Sequence, residues 1–182
     1  WEALCEILQG LKAEYPKAMS QISGIGFSGQ MHGLVAVDRE GIPVRPAIIW
    51  MDQRATEELE EIGEKISRDE QAKVFHNRVF NGFALPSLLW IKNHEPENFA
   101  RIYKVFQPKD YIRFRLTGEM GTEVSDASAS LFLDVGKRKW AENCLAKLDI
   151  PTGILPQLKE STNIAGYVNH TATVETGLRE GI

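Results

Sequence analysis

The stretch Ile25-Gly26-Phe27-Ser28-Gly29-Gln30-Met31-His32-Gly33, followed at once by Leu34-Val35-Ala36-Val37, leaves few folds open. Its apolar and small residues predict a strand over 22–28, and Leu34 to Val37 predicts a second. Asp38-Arg39-Glu40-Gly41 then turns the chain. Glycines at 29 and 33 let the backbone bend and let a ligand come close. Between them stand an amide, a thioether and an imidazole: Gln30, Met31 and His32. A strand that ends in exposed hydrogen-bonding groups beside a turn is a common seat for binding residues.

The rest of the chain fills in around this hairpin. Val44 to Trp50 predicts a third strand, with Pro43 and Pro46 placing its start at an edge or bulge. Leu4, Ile7, Leu8 and Leu11 recur at helical spacing and predict a helix over 1–14. Ala55, Leu59, Ile62 and Ile66 mark a helix of about 14 residues with a solvated acidic face. Further helices are predicted over 69–76, from Pro86 through Ile91, and over 96–103, 109–116, 140–148 and 171–180. Thr117-Gly118 stops the fourth of these. Short strands are predicted over 104–106, 131–135 and 165–168. Strands lead and helices follow, with no repeat and no low-complexity linker, which suggests a mixed α/β layer fold.

Composition narrows the function classes. A chain of 182 residues suits one domain, or one and a small appendage. The net charge is -4, with no basic run, which argues against nucleic acid as a partner. No apolar run approaches the ~18 residues of a membrane span, and no signal peptide is evident. Cys5 and Cys144 make no disulfide framework, which fits a reducing cytoplasm. The chain opens on Trp1 inside a helical pattern and closes on Gly181-Ile182, so it reads as a piece of a longer protein.

Several motifs also admit plainer readings. Gly24-Ile25-Gly26-Phe27-Ser28-Gly29 matches the dinucleotide fingerprint letter for letter, but that motif must open a helix, and here β-type sequence follows. There is no P-loop, no C-x-x-C and no H-E-x-x-H. His76, His94 and His170 stand apart in sequence. His32 is either a hydrogen-bonded structural imidazole or a group that binds a polyhydroxylated ligand, since imidazole donates and accepts at once. Met31 offers an adaptable apolar surface beside it. In Trp50-Met51-Asp52-Gln53-Arg54, Asp52 either caps the next helix or pairs with Arg54, and Trp50 is a candidate wall for the ligand. Ser125-Asp126-Ala127-Ser128 is either a capped turn or a place where a buried Asp pins a cleft.

Taken together these segments resemble the FGGY carbohydrate kinases, in particular the xylulokinase-like branch. The resemblance rests on Ser28-Gly29-Gln30-Met31-His32-Gly33, on Arg45-Pro46-Ala47-Ile48-Ile49-Trp50 with Asp52 and Arg54, and on Leu88-Leu89-Trp90 with His94-Glu95-Pro96. It continues in Pro108-Lys109-Asp110-Tyr111, Leu116-Thr117-Gly118-Glu119 and Ser125-Asp126-Ala127. In the glycerol kinase branch the positions of Met31 and His32 are Arg and Glu, which favours a ketose here. The resemblance implies a mixed α/β domain of the ribonuclease-H-like, actin-like type. Residues 1–182 would be an incomplete N-terminal, sugar-binding domain, with a second, ATP-binding domain elsewhere. It implies an ATP-dependent kinase acting on a ketopentose, D-xylulose foremost, at its terminal hydroxyl. Alternatives are another sugar kinase, for gluconate or a different pentulose, and a non-catalytic sugar-binding module. Met31 and His32 would bind the substrate, with Gln30, Trp50 and Asp52 near it. ATP and Mg2+ would serve the complete enzyme, and the Asp base would lie beyond Ile182. Expected partners are a small sugar, the protein's own C-terminal domain and a second copy in a homodimer. The expected location is the cytoplasm, and the fragment alone is expected to be inactive.

Overall fold

The structure, a computed structural model, describes residues 1–182. In chain order it forms α1 (Glu2–Glu14), α2 (Pro16–Ser20), β1 (Val35–Val37), α3 (Thr56–Lys65), α4 (Arg68–Phe75), α5 (Ala84–His94) and α6 (Pro96–Arg101). Then come β2 (Lys104–Phe106), α7 (Pro108–Thr117), β3 (Gly121–Glu123), α8 (Val124–Ser128), β4 (Leu133–Asp134) and β5 (Lys139–Trp140). The chain ends with α9 (Glu142–Lys147), a 3-10 turn, β6 (Gln157–Lys159) and α10 (His170–Thr176).

β1 lies between β2 and the 43–48 segment. It runs antiparallel to β2, with Val35 opposite Phe106 and Val37 opposite Lys104. Its other edge meets the 43–48 segment through bridges at Leu34–Ile48 and Val37–Pro43. All three β1 residues are buried. β3 pairs in parallel with β6, and β4 pairs antiparallel with β5.

Three expected strands do not form. Segment 44–50 touches β1 but makes no continuous ladder, because Pro43 and Pro46 have no N–H to donate. Residues 22–28 are not a strand: between Ser23 and Gly33 no residue makes a backbone–backbone hydrogen bond. Strand character needs a neighbour as well as a suitable sequence, and this stretch has none. Segment 165–168 also stays irregular, and Val168 instead exchanges bonds with the chain end: its N–H reaches the Ile182 carbonyl at 3.0 Å, and its carbonyl accepts from Gly181 at 2.9 Å. Conversely, α2, β3 and β6 were not foreseen. Pro16 ends one helix and begins the next, as its fixed φ allows at a first helical position.

The helices agree better with the pattern. α1 matches its predicted span, and α7 ends on Gly118 in the left-handed conformation, at φ 79°. α3 is shorter than its pattern suggests, and α5 starts two residues before Pro86. Seven of the eleven α5 residues are buried, so it is the central helix, apolar on most sides. Its Leu85, Leu88 and Leu89 pack with Leu34 and Ile48 of the sheet and with Ile62, Phe75, Leu145 and Leu148 of α3, α4, α9 and the end of α9. Burying each such side chain contributes about 1.5–3 kcal/mol. A second, smaller core of Met19, Leu116, Val168, Ala172 and Leu178 ties α10 to α7 and to the α1 region. No helix is long and apolar enough to cross a membrane.

Candidate functional site

The Gly29–Gly33 tip lies on the start of α7. A Cβ on Gly29 would stand 3.3 Å from the Lys109 Cβ, and one on Gly33 would stand 3.0 Å from the Pro108 Cγ. The missing side chains are what let the two backbones come this close. Gln30 is exposed, and Met31 is 52% exposed, an open apolar surface. His32 has a left-handed backbone, at φ 70°, which few residues other than glycine adopt.

His32 is held at three points. Its N–H donates to the Gln107 side-chain oxygen at 3.1 Å. Its ring Nδ1 lies 2.8 Å from the Ala129 carbonyl. Its ring packs on Phe83 with centroids 4.1 Å apart. A carbonyl only accepts, so Nδ1 must carry the proton of this bond. In the neutral ring Nε2 is then a bare acceptor, the form suited to receive a hydroxyl proton.

Trp50 joins this site through a glycine. A Cβ on Gly82 would fall 2.0 Å from the Trp50 carbonyl oxygen, and Gly82 sits at φ 81°. Only glycine fits there, and its neighbour is the Phe83 that carries the His32 ring. Trp50 and Phe80 are each 52% exposed, and Phe80 lies 6.4 Å from Phe83. Phe80 and Phe83 thus make an aromatic flank beside His32, which the Trp50 backbone meets at Gly82. Phe80 and Phe83 were missed in the sequence; the available signal was the aromatic and glycine content of Asn77–Phe83, between two helices.

Asp52 serves its own corner. Its Oδ1 accepts from the Arg54 N–H at 3.0 Å and from Arg54 Nε at 2.9 Å. The hydrogen bond from Arg54 holds its carboxyl below the usual carboxylate range. Arg54 in turn lies 4.6 Å above the Trp90 ring. The Asp–Arg pairing is therefore the structural role that forms. The capping alternative does not: the residue that precedes α3 is Ala55, and no side chain caps the helix.

The Ser125–Ser128 segment is α8, and its cap is Glu123 rather than Ser125. Glu123 accepts from the N–H groups of Ser125 at 2.8 Å and Asp126 at 2.9 Å. Burial pushes the Glu123 carboxyl up, but hydrogen bonds from Ser161, Ser125 and those N–H groups outweigh it and bring it to about 2. Lys109 Nζ lies 2.9 Å from Asp110, 3.1 Å from Asp126 and 3.4 Å from Glu123. Burial pulls the Lys109 ammonium down, but Asp110 and Asp126 more than offset this and raise it. One cation shared by three carboxylates does not satisfy all of them, and burial raises Asp126 despite Lys109. So Asp126 does pin a cleft wall, through Lys109.

A cleft of about 770 Å³ opens between the unpaired 23–29 stretch and residues 159–168, with Lys109 and Asp126 on its wall. Met31 lines it, whereas His32 does not. The tip therefore presents its thioether to this cleft and holds its imidazole against α8 and Phe83. No group of three or more His, Cys, Asp or Glu side chains is placed to hold a metal ion. Lys109 already occupies the centre of the acidic cluster. These residues do not fit a Mg2+ site.

Known proteins resemble this chain over its whole length. A xylulose kinase from Staphylococcus xylosus is 39% identical over 182 residues, covering 100% of this chain and 37% of the relative. The chain thus spans little more than a third of that relative's length. The solved xylulose kinase of Rhodospirillum rubrum superposes with a TM-score of 0.93 at 27% identity, over 100% of this chain and 38% of that one. A gluconate kinase from Lactobacillus acidophilus, at 22% identity, 97% and 37% coverage and a TM-score of 0.80, shows the fold alone. These neighbours bear out the mixed α/β, actin-like architecture expected from the sequence. The model of the FGGY family of carbohydrate kinases, N-terminal domain, matches residues 1–182. A match over the whole length, with relatives at this identity, means that the chain belongs to the FGGY family of carbohydrate kinases.

Proposed function

We propose that this chain is the sugar-binding domain of an ATP-dependent kinase that phosphorylates a ketopentose, D-xylulose foremost, at its terminal hydroxyl. The observation that carries the reading is the tip. An exposed Met31 stands beside a His32 whose Nδ1 is bonded to the Ala129 carbonyl, which leaves Nε2 of the neutral ring as an acceptor. A sugar offers both partners: hydroxyls to donate into Nε2 and a carbon face to lie on the thioether. Relatives named xylulose kinases support the choice of sugar.

Phosphoryl transfer asks a protein mainly for positioning and charge neutralisation. Here His32 and Met31 orient the sugar, and Gln30 and Trp50 stand close to it. ATP and Mg2+ would bind chiefly on a second domain, where the metal neutralises phosphate charge, and an Asp base would come from that same part of the protein. On this reading both the metal ligands and the base for the transfer come from that second domain. Closing the two domains would exclude water from the sugar. A cytoplasmic protein accords with this reading.

Steady-state kinetics of the full-length protein on a panel of ketoses and gluconate test it. D-xylulose should give the highest kcat/KM. His32→Ala should raise KM for the sugar on the order of tenfold, the worth of one buried hydrogen bond. A KM unchanged in that variant would remove His32 from the site.

A further inference from the structure

Gln107 lies between β2 and α7 and is 5% exposed. Its side chain makes two bonds of opposite kind. The oxygen accepts from the His32 N–H at 3.1 Å, and the amide nitrogen donates to the Asp126 carbonyl at 2.5 Å. A backbone N–H needs an acceptor and a carbonyl needs a donor, so the amide has only one workable orientation. A carboxylate of the same shape would meet the Asp126 carbonyl oxygen with an oxygen of its own.

The amide also sits where it is needed. His32 is in the left-handed region, a conformation that costs energy and persists only where surroundings enforce it. Gln107 holds the amide N–H of that very residue. The ring of His32 is bonded to Ala129, three residues after Asp126. Backbone and ring are thus tied to one short turn, 126–129: the ring directly, the backbone through Gln107. We propose that Gln107 is a positioning residue of the sugar site, which fixes His32 so that Nε2 faces the ligand as an acceptor. This rests on the reading that His32 binds the sugar.

The test uses the full-length protein with Gln107→Leu, Gln107→Glu, His32→Ala and the double variant Gln107→Leu/His32→Ala. Gln107→Leu should raise KM for the sugar about tenfold, with kcat and the KM for ATP within about twofold of the parent. The double variant should match His32→Ala alone, because Gln107 acts through that ring. Nitrogen-15 spectra of the histidines should show His32 with its proton on Nδ1 in the parent and as a mixture of tautomers in Gln107→Leu. An unchanged sugar KM in Gln107→Leu, where His32→Ala raises it, overturns the proposal and spares the sugar site. An unchanged KM in His32→Ala overturns the sugar reading instead; a tautomer unmoved by Gln107→Leu then overturns the positioning role as well. If Gln107→Leu does not fold, Gln107→Glu carries the test. It keeps the acceptor for His32 and loses the donor to Asp126, and a KM equal to the parent's overturns the proposal.

Discussion

Residues 23–33 and residues 34–37 are neighbours in sequence and opposites in structure. The four from Leu34 to Val37 pair along both edges and are buried. The eleven before them make no backbone–backbone hydrogen bond, and Ile25 is 38% exposed. Both stretches carry residues that suit a strand. The contrast teaches that pairing, and not composition, makes the strand, and that the site lies at the seam. His32 and Gly33 end the unpaired part, and the Gln107 side chain, the Ala129 carbonyl and the Phe83 ring hold what no ladder holds. A row of free N–H and C=O groups is also a template for a strand from elsewhere.

Core truncation should expose the difference most sharply. Leu34→Ala, at a residue 2% exposed, should cost about 2–5 kcal/mol in chemical denaturation. Ile25→Ala should stay within about 0.5 kcal/mol. Equal losses would mean that the unpaired stretch is packed in solution, and the comparison would collapse. Hydrogen exchange sharpens it further. Amides of 24–30 should exchange close to the free rate in the 182-residue chain, while those of Ala36 and Val37 are protected. Protection of 24–30 that appears only in a longer form of the protein would mark a partner strand.

Gly82→Ala should come next in size. The new Cβ would fall on the Trp50 carbonyl, at a φ that disfavours any side chain. The expected loss is about 1–3 kcal/mol, read from the thermal midpoint. Because Phe83 follows, the sugar KM should also rise. A variant that melts like the parent and binds like it would detach the Trp50 corner from His32.

What could be read in the sequence follows the range of the interaction. α1 and the Gly118 stop are local patterns, written in spacing of a few residues, and they form where expected. The Met31–His32 tip was visible because two glycines bracket it. Gln107 was not: its partners lie 75 and 19 positions away, and a single Gln before a proline carries no signal. The β3–β6 pair joins residues 121–123 to 157–159 in parallel, without an apolar run to announce either strand. The cap of α8 was sought at Ser125, the usual residue type, and is Glu123, because Ser125 lies within the helix and the two Glu123 carboxylate oxygens each accept one N–H. The 22–28 error is of a different kind, since the pattern was strand-like and the partner was lacking.

The smallest expected effect concerns that cap. The Glu123 carboxyl is depressed from 4.5 to about 2 in the folded protein. A depressed carboxylate contributes stability that is fully present above the unfolded value and is lost as pH falls through the folded one. Glu123→Gln should therefore melt lower than the parent at pH 7, by less than about 1 kcal/mol given the screening at a partly exposed site. The gap should hold down to about pH 5 and close progressively between pH 4.5 and about 2. Asp126 is raised chiefly by burial but also by the Glu123 charge, so a small part of its titration enters the difference as well. Thermal melts of the pair across that range read it directly. A gap that stays constant to pH 2 would show that Glu123 acts by shape and not by charge. The acidic wall opposite the unpaired stretch would then be held by Lys109 alone.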